Sequence, residues 1–158
     1  MKAKELSDDL ALQVRERVLE LLGKPYAGSK AFRYNHPDAR YVSTCHGAMA
    51  YVFGLEDPIV KERTHPSEIS PTEMVDLIEG YFIPSEVFEV GNLIAFYETS
   101  GDDETLVHTA LLTGEDGKMF EQSGRGWIFQ PKTIEEKVRS LPVPKSSKIE
   151  VKSYRLSA

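Results

Sequence analysis

Between Ser7 and Gly23 the apolar residues Leu10, Val14, Val18 and Leu21 return every three or four positions, the period of one buried helix face. Ser7, followed by Asp8 and Asp9, predicts an N-cap with acids in the first turn, and Gly23 predicts the stop. Residues 24–44 carry turn formers and no sustained period, which predicts a long loop. A loop of that length inside a compact domain is often functional. Helical spacing resumes over 45–55, where Ala48, Met49, Val52 and Phe53 form a stripe that ends at Gly54 and leaves Cys45 in the first turn. The stretch "SPTE" at 70–73 is a capping box with Pro at the first helical position, opening a third helix through Met74, Val75 and Ile78 to Gly80.

After Pro84 the pattern changes. Residues 92–98, 106–113, 118–123 and 148–156 are rich in strand formers, and "GEDG" at 114–117 is a hairpin turn between the second and third of these. Residues 133–141 predict a short helix with a Thr133–Glu136 capping box, closed by Pro142. Helices first and an antiparallel meander afterwards predict an α+β domain that packs its helices, the N-terminal ones among them, on one face of an antiparallel sheet. A length of 158 residues suits one such domain over 1–158, and neither a repeat nor a linker interrupts it.

Charge narrows the partners. A net charge of -6 and a pI near 5.3 argue against nucleic acid or an anionic membrane, both of which select basic surfaces. The charged N-terminal stretch has no signal-peptide core, and no apolar run reaches the length of a membrane span. The chain as written is expected in the cytoplasm, or in the periplasm after delivery by a route that needs no signal. Oligomeric state is left open. The single cysteine cannot form an internal disulfide, so any role of Cys45 uses a free thiol or thiolate.

A lone cysteine is ordinarily a small buried hydrophobe. At a helix N-terminus, however, the macrodipole and unpaired N–H groups favour thiolate. A thiolate nucleophile also needs a histidine and a third group to orient it. Of the four histidines, His36 and His65 each precede a proline in a loop, and His46 is expected to point to another side of the helix than Cys45. In "LVHTALL", strand alternation sets Leu106, His108, Ala110 and Leu112 on one face and Val107, Thr109 and Leu111 on the other. His108 thus interrupts an apolar row. Glu121 falls directly opposite His108 or one pair away, depending on the turn's register, with its carboxylate in reach of the imidazole. A structural histidine and a surface His–Glu pair are the common alternatives. The histidines lack zinc-ligand spacing, so neither metal nor cofactor is expected.

Three blocks, "LLGKPYAG" (21–28), "TCHGAMAYVFGL" (44–55), and "VGNLIAFY" (90–97) with "HTALLTGEDGKMFEQSG" (108–124), occur in the order found in the NlpC-type cell-wall peptidases, a branch of the papain-like cysteine peptidases. The chain resembles that family over roughly residues 10–125. The resemblance implies a papain-like domain in which Cys45 is the nucleophile, His108 the general base and acid, and Glu121 the orienting residue. It implies further that Tyr26 lines the site and helps the Cys45 N–H to stabilise the oxyanion, and that Thr44 and His46 flank the nucleophile on the substrate side. Thr44 stands where the family usually has Asp, His46 where it has Ser, and Asn92 where it has Asp. Glu121 replaces a usual His, Asn or Gln, and Gln122 is its rival for the third place.

The expected activity is therefore that of a cysteine peptidase or amidase acting on peptide or isopeptide bonds, with γ-D-glutamyl-diaminopimelate peptides from bacterial cell walls as the substrate class implied by the resemblance. A secretion-system toxin or phage amidase of the same chemistry is one alternative, and a catalytically silent papain-like binding module is another.

Overall fold

The computed structural model describes residues 6–21, 26–27, 41–42, 45–58, 69–114, 116–122 and 132–157, with 26–27 and 41–42 entering as backbone. Among these residues are four helices, α1 (Leu12–Leu21), α2 (Cys45–Val52), α3 (Pro71–Tyr81) and α4 (Ile134–Ser140). The strands are β1 (Tyr26–Ala27), β2 (Tyr41–Val42), β3 (Phe82–Ser85), β4 (Leu93–Ser100), β5 (Asp103–Leu112), β6 (Met119–Phe120) and β7 (Lys148–Leu156). The architecture is α+β around a five-stranded antiparallel sheet in the order β3-β7-β4-β5-β6. No helix among the described residues is long and apolar enough to cross a membrane.

Local sequence chemistry accounts for most of the helices. Ser70 accepts from the Glu73 N–H while Glu73 accepts from the Ser70 N–H, and Thr133 and Glu136 repeat the arrangement at α4, so both expected capping boxes form. α2 ends at Gly54, whose φ of 65° is left-handed; Gly54 N–H donates to Tyr51 and Leu55 N–H to Ala50, the paired bonds of a Schellman cap. Arg17 crosses this end from α1 and donates to the Tyr51 carbonyl at 3.3 Å. A Cβ at Gly54 would lie 1.8 Å from the guanidinium, so glycine is required for the backbone angle and for the space.

Three expectations change. Ser7 caps a separate turn, accepting from Asp9 N–H and, through its carbonyl, from Leu10 N–H, and α1 begins only at Leu12. The reason is that Leu10 is already buried by that turn, so the apolar period starts before the helix does. The predicted 24–44 loop contains a parallel pairing of β1 with β2. The meander is interrupted as well: β4, β5 and β6 follow one another, but β7 returns to lie between β3 and β4.

Both faces of the sheet are covered. α1, α2 and α3 pack with Leu93, Ala95, Tyr97, Leu106 and Leu111 in the larger cluster. On the opposite face Ile94, Phe96, Ala110, Leu112 and Met119 pack with Ile134, Val138 and Leu141 of and after α4. The N-terminal helices share one face as expected, while α4 corrects the expectation that all helices do.

The alternation expected along β5 is also corrected. Phe96 pairs with His108 and the next residue, Tyr97, pairs with Leu106, so Val107 is an extra residue in β5. This β-bulge moves Leu106 to the α1–α3 face while His108, Ala110 and Leu112 keep the other. Val107 packs on the α4 side with them. Period two, read without the bulge, mis-assigns each residue before it.

Candidate active site

Cys45 is the first residue of α2, partly exposed at the helix end where N–H groups lack intrahelical acceptors. α2 is held there by its buried residues Ala48, Met49, Ala50 and Val52, so the thiol is placed by a packed helix. Opposite it lies β5. The Cys45 thiol and the His108 imidazole lie close enough for each to shift the other's titration. The neighbouring residues are linked likewise: His46 Nδ1 is 2.8 Å from Thr109 Oγ1 and 3.7 Å from Cys45 Sγ. Two successive residues of α2 thus meet two successive residues of β5. The expectation that His46 points to another side of the helix than Cys45 is corrected: its Nδ1 touches the thiol as well as Thr109, because both side chains meet β5, and His46 belongs beside the thiol.

His108 is fixed from its other side. Its Nε2–H donates to Glu121 Oε2 at 2.5 Å, and its ring lies 5.7 Å, centroid to centroid, from Phe96 at 49°. Nδ1 is then the nitrogen that remains for the thiol. β6 pairs Phe120 with Leu111, and continuing that register sets Glu121 opposite Ala110, one same-face pair from His108. Glu121 rather than Gln122 therefore holds the His108 ring, although both are buried.

A fourth side chain joins the row. Lys137 Nζ of α4 donates to Glu121 Oε1 at 3.1 Å, in a buried ion pair whose side chains are 11% and 3% exposed. Sulfur, imidazole, carboxylate and ammonium form a line from α2 across β5 and the end of β6 to α4. Lys137 was not anticipated, yet the sequence carries a signal for it. Ile134, Val138 and Leu141 mark the buried stripe of α4, and a lysine at 137 falls within that stripe.

Electrostatics follow from this row. Burial pushes the Cys45 thiol up, but His108, by charge and hydrogen bond, and then His46 outweigh it and hold the thiol well below its usual range. Burial likewise pulls His108 down, and Cys45 first, with Glu121 second, lifts it to about 9. Burial raises Glu121, whereas His108 and then Lys137 hold it below the usual carboxylate range. These shifts favour thiolate, imidazolium and carboxylate in this row, so that neighbouring charges are opposite in sign.

The remaining expected residues divide clearly. The Tyr26 side chain and Thr44 lie outside the described residues, as do His36 and His65. Asn92 is away from the thiol and donates to Ser153 Oγ at 2.9 Å and to the Val87 carbonyl at 3.2 Å, joining the start of β4 to β7. Among the described residues no group of three or more His, Cys, Asp or Glu side chains is placed to hold a metal ion. Comparison with known proteins finds no matching family model, no similar curated protein and no similar solved structure.

Proposed function

We propose that the protein is a cysteine peptidase or amidase of papain-like, NlpC type, hydrolysing peptide or isopeptide bonds through Cys45, His108 and Glu121. The observation that carries this reading is a buried imidazole whose Nε2 is held by the Glu121 carboxylate and whose titration is coupled to that of a helix-start thiol. A structural cysteine has no need of such an arrangement.

Cys45 Sγ attacks the substrate carbonyl carbon, and the C=O electron pair moves to oxygen. In this reading the Cys45 N–H, freed by its position at the start of α2, stabilises that oxyanion, and the family resemblance adds Tyr26. His108 Nδ1–H then protonates the leaving nitrogen as the C–N bond breaks, which leaves a thioester and a neutral imidazole. In the second half Nδ1 accepts a proton from water, hydroxide adds to the thioester carbonyl, and the C–S bond breaks to return thiolate and release the acid. Proton and electron pair are conserved across the cycle, and neither metal nor cofactor enters it.

For the substrate, the three resembling blocks favour cell-wall peptides with a γ-D-glutamyl-diaminopimelate link. A peptide of that kind, incubated with the protein and followed by mass spectrometry, is expected to be cleaved at that link by the wild type and left intact by Cys45→Ala. Cleavage by both proteins would overturn the assignment of the nucleophile. An intact peptide with the wild type would overturn the substrate class.

A further inference from the structure

Glu121 has two oxygens and both are used: Oε2 by His108 Nε2–H at 2.5 Å and Oε1 by Lys137 Nζ at 3.1 Å. The carboxylate is 2% exposed and the whole lysine 9%, so water screens the pair weakly. Lys137 reaches it from α4, whose Ile134 and Val138 are packed on the sheet face that also carries His108. An unneutralised carboxylate in such a place would hold an imidazolium tightly, which suits the first half of the cycle and opposes the second. After acylation His108 must be neutral to accept a proton from water.

We propose that Lys137 is a positioning residue of this site, which fixes Glu121 by Oε1 so that Oε2 meets His108, and which balances the carboxylate charge so that His108 can release its proton as well as hold it. The inference rests on the hydrolase reading and goes beyond it by adding a fourth residue and its role. It depends on the bond and on the charge of Lys137 separately, and the two can be separated. The groups that face His108 are Cys45 from α2 and Glu121 after β6; Lys137 of α4 acts through Glu121, and His46 of α2 acts on the thiol.

The test follows the His108 imidazole by NMR against pH in the wild type, Lys137→Gln and Lys137→Arg, with the pH dependence of Cys45 alkylation by iodoacetamide measured on the same samples. Gln can still donate to Glu121 Oε1 but carries no charge, whereas Arg keeps both. The His108 titration is expected to move up by half a pH unit or more in Lys137→Gln and to stay at the wild-type position in Lys137→Arg. Deacylation, read as decay of an acyl-enzyme by mass spectrometry, is expected to slow in Lys137→Gln alone.

A depressed wild-type thiol with an unmoved His108 titration in Lys137→Gln overturns the inference and leaves the hydrolase reading standing. A wild-type thiol that titrates as an ordinary one, at about 8.5, overturns both. Should Lys137→Gln fail to fold, Lys137→Met, which also lacks the charge, decides: a His108 titration moved up by half a pH unit or more supports the charge role, and an unmoved one overturns it.

Discussion

The imidazole of His46 is anchored to the hydroxyl of Thr109 at 2.8 Å, directly beside the contact between Cys45 and His108. This second bond fixes the start of α2 on β5 and leaves the thiol between two imidazoles. Thr109 is fully buried, so nothing but His46 and its immediate neighbours decides what that hydroxyl meets.

Replacing Thr109 by Val keeps the shape and removes the hydroxyl, leaving the buried His46 Nδ1 only its longer 3.7 Å contact with Cys45 Sγ. The expected loss is about 1–3 kcal/mol of unfolding free energy, measured by urea denaturation. A wild-type midpoint in Thr109→Val would show that the bond does not hold α2 in place.

Cys45 should alkylate fast in mild acid. An ordinary thiol near 8.5 is only about 0.3% thiolate at pH 6, whereas a thiol held well below its usual range by His108 carries a larger thiolate fraction there. His108→Ala removes the principal lowering partner, and the alkylation rate at pH 6 is expected to fall at least about tenfold, the equivalent of one pKa unit. Equal rates in the two proteins would contradict the ion pair.

Stability against pH has a definite form. Cys45 and Glu121 have lowered values in the fold, so their contributions are present above their unfolded values and are lost as pH falls through the folded ones. His108 is raised to about 9, so its contribution is full below about 6.5 and is lost as pH rises through 9. Between about 6.5 and 8.5 a folded thiolate–imidazolium pair carries one proton on His108 and the unfolded pair one on Cys45, so the counts of such a pair match and this site adds no slope. The melting temperature is expected to be level across that window, to fall below it, where the unfolded histidine gains a proton, and to fall above it, where the unfolded thiol loses one. A steady trend through the window in a fluorimetric melting series, absent when Cys45 and His108 are both replaced by Ala, would contradict a thiolate–imidazolium ground state.

Deleting Val107 tests the bulge. Each observed pairing of β4 with β5 omits that residue, so the shortened strand can keep all its partners and is expected to fold. What it loses is the local twist beside His108 and the packing of Val107 on the α4 side. Alkylation of Cys45 at pH 6 is expected to slow by about tenfold with the circular dichroism spectrum retained, the equivalent of a one-unit rise in the thiol. An unchanged rate would mean that the bulge does not aim the imidazole.

Much of this arrangement is legible in the chain, because it depends on short-range rules. The capping boxes at Ser70 and Thr133, the glycine stop at Gly54, the stripe of α2 and the strand character expected over 92–98 and 106–113, which β4 and β5 largely cover, follow from neighbours within a few positions. Cys45, His108 and Glu121 could be selected as candidates for the same reason: each sits where helix or strand spacing makes a polar or reactive side chain conspicuous.

Tertiary structure decided the rest. One extra residue at Val107 shifts the face of every residue before it, and no local period announces which residue a sheet will bulge. That His46 turns to Thr109 depends on α2 lying against β5, and that Lys137 reaches Glu121 depends on α4 covering the face opposite α1–α3. The insertion of β7 between β3 and β4 joins segments far apart in the chain. The sequence by itself determined which side chains were available for chemistry, since residue type and local spacing are written there. Only packing determined which of them share a proton, because charge coupling depends on distance through space and on the exclusion of water, and both are set by elements that meet from distant parts of the chain.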